Sequence, residues 1–171
     1  MDVTWLPFEL HPDTPAEGVD LAEYFGTTPQ QLQQMHRGLK ARADELGLPI
    51  NPPPRLVNTH NAWLLAEYAR DKGKADAIHH RLFQDYFVRG RNFAEEAVLR
   101  EAAEAVGLNA DEALAALTNP EYEERIARSM AEARAYGVTG APTFIINDQY
   151  KIVGAQPYDR LLGAFRQIQK G

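Results

Sequence analysis

The sequence predicts an α/β protein in which a small sheet carries a large all-helical insertion. Three observations predict it. A strand-like apolar run, Val3 to Leu10, stands near the start, an unbroken helical pattern fills residues 58 to 137, and a hairpin pattern followed by one more helix closes the chain. At 171 residues the chain has the length of one domain, enough to bury about two-thirds of its unfolded surface. The expectation is therefore a single domain over residues 1–171, with the helical insertion inside it.

Val3 to Leu10 contains Trp5 and Phe8 and reads as a strand, with Pro7 marking an edge or the strand's end. His11-Pro12-Asp13-Thr14-Pro15 is a turn cluster, and Asp20 to Phe25 reads as one short helix. Thr28-Pro29 starts a longer helix. Its Leu32, Met35, Leu39, Ala43 and Leu46 recur at helical spacing up to Gly47-Leu48, about 18 residues or roughly 27 Å. Pro49 and Pro52-Pro53-Pro54 then hold the chain extended.

Capping chemistry divides the stretch from Asn58 to Tyr136 into five helices. Asn58 or Thr59 caps the first, which stops at Gly73, and the second presents Ile78, Leu82, Phe83, Tyr86 and Phe87 before Gly90. Asn92 with Glu95, and Asn109 with Glu112, have capping-box spacing, and Gly107-Leu108 supplies a Schellman-type end between them. Asn119-Pro120 opens the last helix, with Tyr122, Ile126, Met130 and Ala133 as its stripe. Trp63, Phe83 and Phe87 fall at helical spacing and are expected in the core.

Gly137 ends that helix, Gly140 allows a second change of direction, and Pro142 precedes Thr143-Phe144-Ile145-Ile146, a β-branched and aromatic strand. A proline just before a strand cannot donate to the ladder and restricts Ala141 to extended geometry. Tyr150 to Val153 answers across Asn147-Asp148-Gln149, a hairpin with local turn formers, and Pro157 opens a helix whose Leu161, Leu162, Phe165 and Ile168 share one face.

Composition removes several function classes. A net charge of −6, from 18 basic and 24 acidic residues interspersed, makes no basic stripe for nucleic acid or an anionic membrane. No apolar run spans a bilayer and no basic-then-apolar leader is visible, so the expectation is a cytoplasmic protein without membrane attachment. There is no cysteine, hence no disulfide, thiolate metal site or thiol nucleophile within these residues. His11, His36, His60, His79 and His80 lack metal-ligand spacing, and the acidic residues read as solvated helix faces. No metal and no cofactor is expected.

Gly137-Val138-Thr139-Gly140-Ala141-Pro142-Thr143-Phe144-Ile145-Ile146, followed by Gly154-Ala155-Gln156-Pro157, resembles the end of a thioredoxin-fold protein of the DsbA family, in its FrnE-like, dithiol-disulfide isomerase branch. Val3 to Asp13 resembles that branch's second strand and turn, and Asn58-Thr59 the start of its helical insertion. The resemblance implies a thioredoxin-like, DsbA-type sheet, a cis Ala141-Pro142 bond, and a substrate-docking turn formed by Gly140, Ala141, Pro142 and Thr143. Asn58 resembles a residue near the bound tripeptide in glutathione-using relatives. In the family a first strand, a Cys-x-x-Cys motif and a helix precede the strand matched by Val3 to Leu10, so the fold is expected to be truncated at its N-terminus. No catalytic residue is then assigned, and the chain is expected to be redox-inactive.

That missing strand would lie between residues 3–8 and 143–146. The two segments are therefore expected not to pair with each other, the slot being filled by a partner's strand or a separate or exchanged N-terminal segment, through a dimer or strand exchange, in preference to the costlier alternative in which the two strands close the gap directly. Implied partners are a protein or peptide thiol or disulfide substrate and possibly glutathione. Two other function classes fit the same residues: a glutathione-dependent isomerase or transferase of the kappa and hydroxychromene-carboxylate-isomerase branch, whose serine replaces the cysteine, and a non-catalytic peptide-binding module.

Overall fold

A computed structural model describes residues 3–169. The chain forms two compact units: His11–Ile126, and Met1–Leu10 with Ala127–Gly171. No helix among the described residues is long and apolar enough to cross a membrane.

The helical unit begins with a two-residue strand β1 (Val19–Asp20), a single-turn helix α1 (Leu21–Tyr24) and the helix α2 (Pro29–Glu45). Asp20 accepts the Ala22 and Glu23 amides to start α1. Thr28 and Gln31 close a reciprocal capping box on α2, with Pro29 at the first helical position. The proline run leads into β2 (Arg55–Leu56), which pairs antiparallel with β1, Val19 opposite Leu56 and Asp20 opposite Arg55. The Arg55 guanidinium fixes this corner by donating to the carbonyls of Glu17 and Gly18 at 3.0 and 2.8 Å. Gly18 has φ +71°, and a Cβ there would lie 2.5 Å from the Leu56 carbonyl oxygen, so only glycine fits.

Five α-helices follow: α3 (His60–Asp71), α4 (Ala75–Phe87), α5 (Glu96–Ala105), α6 (Ala110–Ala115), with a 3-10 turn at Ala116–Thr118, and α7 (Pro120–Ala135). Leu64 and Leu65 of α3, Ile78 of α4 and Val98 and Leu99 of α5 are almost wholly buried and make the core. Asn109 caps α6 by accepting the Glu112 amide, yet no reciprocal box forms, because the Glu112 carboxylate accepts from Tyr68 and Lys72 instead. Asn92 caps nothing: it accepts the Ala94 amide and donates to the Ala16 carbonyl, and α5 starts after Glu95.

Two readings of this unit are corrected. Phe83, expected in the core, is an exposed large apolar residue of α4 that stacks on Phe87 with ring centres 5.7 Å apart. The acidic residues are not all solvated, since Glu67 and Asp85 are buried to within 1%. Asp85 accepts from Arg81 at 2.7 Å and from Arg89, one turn to either side. Glu67 pairs with Arg70 at 3.1 Å, while Arg125 of α7 reaches Asp71 at 2.6 Å and also Glu121. The Arg125 guanidinium, hydrogen-bonded to Asp71, holds that carboxyl below its ordinary pKa.

The second unit carries the hairpin β3 (Thr143–Ile146) and β4 (Tyr150–Val153) and the terminal helix α8 (Tyr158–Ile168). Thr143 lies opposite Val153 and Ile146 opposite Tyr150, and Asn147 and Asp148 take positive φ in the turn, as two central residues of a primed turn must. The expected strand over Val3 to Leu10 is not one: residues 3–9 have no ladder partner among the described residues. Alternating apolar residues make a segment fit for a sheet, but a strand needs a neighbour. This segment is held by side chains of α7 instead, the Ser129 hydroxyl donating to the Pro7 carbonyl at 2.7 Å and the Glu9 amide to the Met130 sulfur at 3.2 Å.

Candidate functional site

The turn at residues 137–143 is fixed from three sides. Gly137, φ +61°, ends α7, with the Val138 amide donating back to the Ala133 carbonyl at 2.8 Å. Lys151 on β4 reaches the same helix end and donates to the carbonyls of Tyr136 and Gly137 at 2.8 and 3.1 Å, a cation where the helix dipole favours one. On the strand side, the Thr143 hydroxyl donates to the Gly140 carbonyl at 2.7 Å, and the Gly154 amide donates to the Pro142 carbonyl at 2.7 Å. The Ala141-Pro142 peptide between them is cis, and both residues are exposed.

The bond from Gly154 to Pro142 also sets which way the strand's groups point. Paired residues of an antiparallel ladder alternate between bonded and non-bonded, so Pro142, Phe144 and Ile146 turn their polar groups to β4. Thr143 and Ile145 turn theirs outward. The sheet ends at β3 among the described residues, which leaves those N–H and C=O groups on an open edge. Thr143 to Ile146 are all half-buried. The site thus offers a row of backbone donors and acceptors beginning one residue after an exposed proline, and no nucleophile.

Gly140, Ala141, Pro142 and Thr143, picked out in the sequence, are brought together in this turn. Asn58 belongs to the helical unit. Its amide is used at both ends, the oxygen accepting the His60 amide at 2.9 Å at the start of α3 and the nitrogen donating to the Thr14 carbonyl at 2.6 Å. Asn58→Ala is expected to cost about 1–2 kcal/mol of unfolding free energy by losing a cap and orphaning a part-buried carbonyl, which urea denaturation would measure. Lys151 carries no signal in the sequence, and Gly154 enters it only as part of Gly154-Ala155-Gln156-Pro157. Lys151 meets the helix end through the register of a hairpin, and no local pattern records that; Gly154 has φ +81°, and a glycine directly after a strand was the available signal.

A turn leading into the edge strand of a hairpin, with a helix before it and another after it, is an arrangement compatible with a thioredoxin-type fold. The chain belongs to the family of DSBA-like thioredoxin domains, whose model matches residues 1–166. It is 29% identical over 175 residues to the protein YwbO of Bacillus subtilis (strain 168), an alignment covering 99% of this chain and 84% of that one. Its structure is similar to that of a probable DsbA oxidoreductase, SCO1869, from Streptomyces coelicolor, with a TM-score of 0.87 and 27% identity over 94% of this chain and 72% of the other. A structure from Nitrosomonas europaea, with a TM-score of 0.62, 17% identity and coverage of 84% and 77%, shares the fold alone.

Proposed function

We propose that the chain supplies the substrate-docking part of a thiol-disulfide oxidoreductase or isomerase of the FrnE-like branch, with a protein or peptide thiol or disulfide as its partner. The observation that carries this reading is the outward edge of β3, with Thr143 and Ile145 free to pair immediately after Pro142. An extended peptide alongside β3 would add a strand, drawing affinity from main-chain bonds that read no particular sequence. Such docking suits an enzyme that meets many substrates. The reacting sulfurs lie outside these 171 residues, which hold no cysteine. The glutathione-using alternative is less well supported, since Asn58 already spends its amide on the backbone.

Amide hydrogen exchange tests the reading residue by residue. Adding an extended, cysteine-containing peptide is expected to slow exchange at Thr143 and Ile145 by roughly five- to tenfold, the equivalent of about one net hydrogen bond each. Phe144 and Ile146, already bonded to β4, are expected to be protected with or without it. Peptide binding that leaves Thr143 and Ile145 unchanged would sink the docking assignment.

A further inference from the structure

The docking turn is held at its two ends and hardly at all along its length. Among the described residues the amides of Thr139, Gly140 and Ala141 donate no hydrogen bond, and the one bond that reaches these three residues comes from the Thr143 hydroxyl to the Gly140 carbonyl. The chain from Gly137 to Pro142 could span up to about 17 Å if extended, so its ends must be set from outside. One strand sets both. The Lys151 ammonium, on β4, donates to the carbonyls of Tyr136 and Gly137, and the Gly154 amide, one residue past β4, donates to the Pro142 carbonyl. These anchors are three residues apart, roughly 10 Å along an extended strand. The ammonium is closely seated, since a Cβ on Gly137 would lie 3.4 Å from its nitrogen. Lys151 also stands opposite Ile145 in the ladder, in a non-bonded pair whose side chains share one face of the hairpin. The residue that fixes the start of the turn is thus directly across from one whose amide is offered outward. Asp148 adds a second tie by accepting from the Tyr136 hydroxyl at 3.0 Å, but that bond holds the tip of the phenol and not the backbone entering the turn.

We infer that Lys151 is a positioning residue for the docking turn: it acts through the turn, by fixing the end of α7 at a set place against the hairpin, so that Ala141, Pro142 and the outward groups of Thr143 and Ile145 stand in one arrangement before a peptide arrives. The inference rests on the docking reading of β3. A peptide that adds a strand needs turn and edge together, and its affinity falls by the fraction of time in which that arrangement is lost. The carbonyls of Tyr136 and Gly137 accept from nothing else among the described residues, and a charged donor holds such groups more firmly than a neutral one. The tie through Asp148 limits how far the helix end can drift without Lys151, so binding is weakened and not abolished.

Calorimetric titration with the extended, cysteine-containing peptide is expected to show Lys151→Met raising the dissociation constant about tenfold, and Lys151→Arg, which keeps a cationic donor, staying within about twofold of the parent. Arg89→Ala, which gives up an ion pair in the helical unit, is expected to leave the affinity unchanged and so separates positioning from a general loss of stability. Without peptide, amide exchange at Val138, whose amide closes the end of α7, is expected to quicken about fivefold in Lys151→Met, while Phe144 and Ile146 stay as protected as in the parent. A Lys151→Met variant that binds the peptide as well as the parent does would overturn the inference. So would unchanged exchange at Val138, or a Lys151→Arg variant that binds no better than Lys151→Met. A parent that fails to bind the peptide sinks the docking reading itself, a result seen without any variant, and the inference falls with it.

Discussion

The 171-residue chain is expected to reduce insulin disulfides no faster than a cysteine-free control protein, a complete loss relative to a dithiol oxidoreductase. Exchange begins when a thiolate attacks a disulfide sulfur, and the leaving thiolate must then be displaced by a second thiol. Neither group exists in the sequence, and a hydroxyl cannot replace either, because exchange requires a thiolate. The positive arm is a fusion that places a strand, a Cys-x-x-Cys motif and its helix ahead of Val3. This fusion is expected to precipitate the insulin B chain at a rate well above the unfused chain, and its double cysteine-to-serine variant to fall back to background. Catalysed reduction by the unfused chain would show that chemistry other than a thiolate is at work and would remove the basis of the functional reading.

The helices were legible because their ends are written locally. Thr28-Pro29, Asn109 and Gly107 each act through a bond to a residue within four or five positions, so the sequence displays both partners together. The hairpin was legible for the same reason, with Asn147 and Asp148 in the conformations their residue types tolerate best. What was not legible depends on partners far away. Val3 to Leu10 has the composition of a strand, yet a ladder is a relation between two segments, and only one of them can be read in its residues. The β1–β2 bridge is two residues long on each side and is held by one guanidinium on two carbonyls 37 and 38 residues distant, which leaves no trace in either segment's pattern. For the docking turn, the residues were visible, but the open edge was not: whether Thr143 and Ile145 point outward follows from the single bond between Gly154 and Pro142.

Asp85→Ala is expected to lower the unfolding free energy by about 3 kcal/mol, toward the low end of the range for breaking a buried pair by removing one partner. The arginines around it decide the size. Arg81 is only 19% exposed and approaches Asp85 at 2.7 Å, so without the carboxylate its charge stays largely out of water with nothing to offset it. Arg89 is 45% exposed and can turn to solvent, which trims the penalty. Replacing both members by apolar residues, as in Arg81→Leu with Asp85→Leu, is expected to cost much less than the sum of the single changes, because no uncompensated charge remains. Arg89→Ala alone is expected to cost under about 1 kcal/mol, in the range of a surface pair, since Asp85 keeps Arg81. The spacing Arg-x-x-x-Asp-x-x-x-Arg over residues 81 to 89 sets one arginine about a turn to either side of the carboxylate, Arg89 just past the end of α4. Urea denaturation of the parent, Arg81→Leu, Asp85→Leu and the double variant measures the cycle directly, with Asp85→Ala and Arg89→Ala read beside it. A loss below about 1 kcal/mol for Asp85→Ala, or strict additivity in the double variant, would mean that water reaches the carboxylate after all.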